Sequence, residues 1–120
     1  MEKYIDNKYC YRTYITSVYD GDTVTCNIDL GFGIIINKQK IRLFGINAPE
    51  LRGEEREEGI IIRDKLRNLI LEKWVNLYTI KDSKGKDSKG KYGRWLGIIV
   101  DNNININELL LKDDLVKEYI

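Results

Sequence analysis

The chain contains no histidine. That excludes Ser-His and Cys-His nucleophilic schemes and the usual zinc sites. Any acid–base chemistry falls to carboxylates, lysines or tyrosines, and any electrostatic work to arginine or a hard cation. Cysteine occurs only twice, and the N-terminus MEKYIDNKYC lacks the apolar run of a secretion signal. Cys10 and Cys26 therefore read as reduced residues on neighbouring strands, and an intracellular chain is favoured over the alternative, a secreted mature form. Apolar runs are only a few residues long, which excludes a helical membrane span and a membrane partner. With a net charge of +1, no global basic field announces nucleic acid.

The composition is that of an ordinary globular protein, 42% hydrophobic and 32% charged. A length of 120 residues fits one domain, 1–120, with a monomer as the default. The charge is unevenly placed. ELRGEEREE at 50–58 is acidic, whereas KDSKGKDSKGKYGR at 81–94 sets six basic residues against two aspartates. The tandem DSKGK within 82–91 has the Gly, Ser and Asp content of a flexible loop.

CYRTYITSVY at 10–19 and DTVTCNIDL at 22–30 are rich in Val, Ile, Thr and Tyr and flank the tight turn Asp20-Gly21. IIINKQKIRLFGI, after Gly31 and Gly33, reads as a third strand to about Ile46. From about Glu55 to Lys73 the period changes to three-to-four, with Ile62, Leu66 and Leu69 on one face and Gly59 as a weak point. WVNLYTIKD at 74–82 and RWLGIIVD at 94–101 supply two more strands. Asn105 with Glu108 resembles a capping box opening a short helix. The fold expected is α+β and mainly β: a five-stranded Greek-key barrel of the OB type, with one helix between strands 3 and 4 and another after strand 5.

Strand ends in such a barrel converge on one rim. That places Asp20 and Asp22 at the first hairpin turn near Arg42 late in the third strand. Asn47 and Glu50 in the loop beyond it join them, with Lys91, Tyr92 and Arg94 at the start of the fifth strand. Two carboxylates for a hard cation, a further carboxylate to take a water proton and two guanidiniums for phosphate oxygens are what phosphodiester hydrolysis requires. On this reading Arg42 and Glu50 in RLFGINAPE are site residues rather than a surface ion pair.

Order and spacing carry the point further. VYDGDTV at 18–24, KIRLFGINAPE at 40–50 and GKYGRWLG at 90–97 resemble three motifs of the staphylococcal nuclease family. ININELLLKDDLVK at 104–117 is similar to its asparagine-glutamate helix and the segment after it. The resemblance, over roughly residues 10–119, implies a calcium-dependent nuclease acting on DNA and RNA. It makes Asp22 a calcium ligand with Asp20 close behind, and gives Ala48 a backbone carbonyl on the metal. Arg42 and Arg94 become the transition-state arginines, Glu50 takes the place of the proposed general base, and Lys91 and Tyr92 match contacts to the nucleotide's other phosphate. At Asn47 the family pattern usually has a calcium-binding aspartate, so one negative charge is missing from the ligand set. The doubled DSKGK is a local insertion, and the sequence stops short of the family's later C-terminal helix. A metal-dependent nuclease of low sequence preference is the leading reading. A nucleic-acid- or protein-binding module of the same fold is the alternative.

Overall fold

The computed structural model describes residues 1–90 and 92–119. Three long strands follow one another as an antiparallel meander: β1 (Cys10–Asp20), β2 (Thr23–Gly31) and β3 (Ile34–Leu43). A two-residue strand β4 (Ile46–Asn47) and a short 3-10 turn lead into helix α1 (Arg56–Ile70). Then come β5 (Trp74–Thr79), β6 (Trp95–Asp101), β7 (Ile104–Asn105), helix α2 (Ile106–Lys112) and β8 (Lys117–Glu118). β1 pairs with β5 and β5 with β6, both antiparallel, while β6 returns to β3 in parallel through Ile41–Trp95, Arg42–Leu96 and Leu43–Gly97. This last pairing closes a five-stranded mixed barrel, the OB-type α+β arrangement expected from the sequence.

Alternation along the strands builds the core. Ile15, Val18, Val24, Cys26, Ile41, Leu43, Leu77 and Ile99 point inward, and α1 lays Ile62, Leu66 and Ile70 over them. Both cysteines are free, and burial pushes the Cys26 thiol up to about 12, which leaves it an inert packing residue.

The boundaries differ from expectation at three places, each with a local cause. β3 stops at Leu43 because the chain turns at Gly45 (φ +81°) and leaves the barrel to pair Ile46 and Asn47 with Glu118 and Lys117 of β8. α1 ends at Ile70, three residues early: Glu72 adopts φ +58° and gives its N–H to the Ile15 carbonyl, reversing the chain into β5. β5 ends at Thr79, and the described part of the basic loop beyond it carries its own hydrogen bonds. The first DSKGK uses Asp82 to accept the N–H groups of Lys84 and Lys86. The second uses Asp87 to pair with Lys81.

The expected capping box is half present. Asn105 accepts the Glu108 N–H at 3.0 Å, while the Glu108 carboxylate lies 3.7 Å from the amino terminus. The neighbouring Asn107 is fully buried and knits the barrel's closing seam. Its amide donates to the carbonyls of Phe44 (2.9 Å) and Gly97 (3.1 Å), and its oxygen accepts the Ile99 N–H (3.2 Å). Asn107→Ala should therefore lower the unfolding free energy by about 3 kcal/mol, because the Ile99 N–H and the Phe44 carbonyl lose this partner and the Gly97 carbonyl keeps only the Phe44 N–H. Denaturant titration checks this; a loss below about 1 kcal/mol would mean that the seam holds without the amide.

Candidate functional site

The rim is assembled by strand register. β1 and β2 meet at the pair Asp20–Thr23, Thr23 faces Arg42 across β2–β3, and Arg42 faces Leu96 across β3–β6. Consecutive pairings thus carry the polar residues of three strands to one end of the barrel, with Arg94 just ahead of β6.

Asp22 is the hub. It is 5% exposed, and its two carboxylate oxygens face different parts of the site. Oδ2 accepts the Ala48 N–H at 2.8 Å and lies 3.3 Å from Arg42 Nη1. Oδ1 accepts the Thr23 hydroxyl at 3.0 Å, and Thr23 Oγ1 in turn accepts from Arg94 Nη1 at 3.0 Å. One buried carboxylate and one hydroxyl therefore connect the two arginines. Arg42 is held further by the Ile46 and Leu43 carbonyls at 2.8 and 3.2 Å and by Asn47 Oδ1 at 3.3 Å. Arg94 is held less completely: its Nε is buried without a hydrogen-bond partner among the described residues, and its guanidinium carbon lies 5.2 Å from the Tyr92 ring centre.

Glycines position the remaining pieces by close approach. A Cβ at Gly21 would sit 2.7 Å from both Ala48 Cβ and Ile62 Cγ2, so the Asp-Gly-Asp turn packs directly on the 47–50 loop and on α1. A Cβ at Gly59 would lie 2.2 Å from the Glu50 carbonyl oxygen, so the apparent weak point of α1 is where the Glu50 backbone rests on the helix. Glu50 consequently shares a cavity of about 360 Å³ with Tyr19, Asp20, Leu51 and Arg52.

Of the residues singled out in the sequence, Asp22, Arg42, Asn47 and Ala48 touch one another, and Arg94 joins through Thr23. Asp20 joins by accepting the Asp22 N–H at 3.0 Å, and Glu50 through the shared cavity. Lys91 lies outside the described residues. Among these residues the ion pair of Arg42 is with Asp22, not Glu50. Thr23 and Gly59 were missed as functional positions. Thr23 stands inside VYDGDTV beside Asp22, and that position was the only signal in the sequence.

The donor chemistry suits a hard cation. Among the described residues no three acidic or cysteine side chains converge; the oxygens that could serve are the carboxylates of Asp20 and Asp22, the Asn47 amide oxygen, which accepts from Arg42, and the Ala48 carbonyl. Burial, and after it the Asp22 carboxylate, push the Asp20 carboxyl from 3.8 up to about 6. A cation beside the pair would relieve that repulsion.

A pH dependence follows. Folded Asp20 keeps a proton that the unfolded chain releases from about pH 4, so its stabilising contribution is present below pH 4 and is lost as pH rises through 6. In chelator, wild-type stability should therefore fall relative to Asp20→Asn between pH 4 and 7. Urea unfolding across that range checks it, and parallel profiles would refute it.

The family model described as staphylococcal nuclease homologue matches residues 40–119. No curated protein matches the chain. The matched segment contains Arg42, Asn47, Glu50 and Arg94, while Asp20, Asp22 and Thr23 precede it and reach the same rim through β1–β2–β3 pairing. With two thirds of its length matched, the chain belongs to the staphylococcal nuclease homologue family.

Proposed function

We propose that the protein is a calcium-dependent nuclease hydrolysing phosphodiester bonds of DNA and RNA, single-stranded or frayed, with little sequence preference. The observation that carries this reading is the buried Nε of Arg94, without a partner among the described residues in a site where Arg42 is so thoroughly tied. Buried guanidinium N–H groups are costly to leave unpaired, and an anionic oxygen at the rim is the acceptor that fits. Arg94 would stabilise charge growing on the phosphoryl oxygens, with Arg42 supplying the second positive charge. Glu50 would take the proton from the attacking water, and Lys91 and Tyr92 would contact the other phosphate. Asp22, Asp20, Asn47 and the Ala48 carbonyl would hold calcium, which when bound supplies positive charge to a phosphoryl oxygen.

A second reading, a non-catalytic nucleic-acid- or protein-binding module, is favoured by one observation: Asn47 carries no charge and gives its oxygen to Arg42. Incubating single-stranded DNA and RNA with the protein in calcium and then in chelator separates the two. Cleavage of both in calcium, abolished by chelator, is expected. Arg94→Lys should then reduce turnover by about a hundredfold while KM changes less, since the lost fork acts on transition-state charge. Binding without cleavage at any divalent metal would establish the module instead.

The missing charge at position 47 leads to a separate expectation. Asn47→Asp should tighten calcium by roughly tenfold, since affinity in oxygen sites follows charged-ligand count. Calorimetric titration of both proteins reads it. The competing outcome is an aspartate captured by Arg42 Nη2, now 3.3 Å from the amide oxygen, with calcium affinity unchanged or weaker.

A further inference from the structure

The β2–β3 hairpin projects an apolar tip away from the core. Phe32 is fully exposed at the turn, Ile34 and Ile35 are 54% and 50% exposed, and Leu30 and Ile36 about 40%. Exposed isoleucines at three consecutive positions show that both faces of the ribbon are apolar here, because successive side chains alternate faces. The backbone edge is open too. β3 joins β6 only from Ile41 onward, so the outer edge of Ile34–Ile36 faces no strand among the described residues. Lys38 and Lys40 guard the later part of this edge, and Lys38 at φ +56° breaks its regularity. The unguarded stretch is the isoleucine triplet.

We propose that this hairpin is the contact between two copies of the chain, which pair their Ile34–Ile36 edges antiparallel about a two-fold axis. Three arguments select a second copy. An edge needs donors and acceptors opposite it, which another strand supplies and lipid tails do not. The segment is self-complementary: with the axis at Ile35, Ile34 faces Ile36 of the second copy and each hairpin apex lies towards the other's Lys38, so no like charges meet. The side chains match as well: the exposed Ile34–Ile36 side chains of one copy lie beside those of the other, while edge pairing leaves the ribbon faces open and so buries less than a standard interface. The contact is accordingly of micromolar strength, and it replaces the monomer expected from chain length. The proposal is independent of the nuclease reading, because no rim residue takes part.

Sedimentation equilibrium over roughly 1–100 µM should show the mass rising from 14.1 kDa towards twice that value. Ile35→Lys, which sets two ammonium groups against each other on the axis, should stay at 14.1 kDa with unchanged circular dichroism. Register is tested by mild oxidation in a Cys10→Ser background. Ile35→Cys should cross-link, since facing residues across an antiparallel pair lie within disulfide reach, whereas Ile34→Cys should not. A wild-type chain monomeric throughout, a dimer that survives Ile35→Lys, or equal cross-linking at both positions would each overturn the proposal. So would a monomer whose hairpin variant loses only vesicle or single-stranded DNA binding.

Discussion

The Asp22 carboxylate is the interaction on which the rim depends. A charge that is 5% exposed persists only if its lone pairs are met, and here an amide N–H, a guanidinium and a hydroxyl meet them. Each partner belongs to a different segment: the 47–50 loop, β3 and the start of β2. The carboxylate therefore spans the first hairpin, the strand opposite it and the loop that carries Glu50. Removing it would leave Arg42 with an uncompensated charge and Thr23 without its acceptor, so the site is built around a group that also holds the fold together.

Small residues set how closely these segments approach. Gly21 lets the turn bearing Asp20 and Asp22 sit against Ala48 and Ile62, and Gly59 lets the Glu50 backbone lie on α1. The geometry of the carboxylates thus follows from missing side chains as much as from present ones. The segment after α2 contributes as well. β8 pairs with β4, Tyr119 gives its N–H to the Gly45 carbonyl, and its ring lies 5.5 Å from the Arg42 guanidinium carbon. The loop carrying Asn47 is held between the barrel and this returning segment.

The two arginines illustrate a division of labour that their common chemistry conceals. Arg42 makes bonds to two carbonyls, an amide oxygen and a carboxylate, which fixes its plane before any ligand arrives. Arg94 has one hydroxyl partner on Nη1 and a buried Nε without a hydrogen-bond partner among the described residues. The first is fixed by the scaffold, and the second has hydrogen-bonding capacity that no described residue uses.

Sequence alone determined the elements and the inventory. β-branched and aromatic composition marked the five barrel strands, three-to-four apolar spacing the first helix, and the Asn105–Glu108 capping box the second. The motif order around Asp22, Arg42, Glu50 and Arg94 also pointed to one rim and one family. Element ends were decided elsewhere: β3 stops short because β8 captures the chain after Gly45, and α1 because Ile15 takes the Glu72 N–H. Thr23 as the link between arginines, Gly59 as the seat of Glu50, and Asn47 turned towards Arg42 were likewise decided by the tertiary structure. Thr23 and Arg94 are 71 residues apart and meet only when β6 returns to β3, while the Asn47 and Gly59 contacts are set by the turn at Gly45 and the seating of the 47–50 loop on α1; none leaves a periodic trace in the sequence.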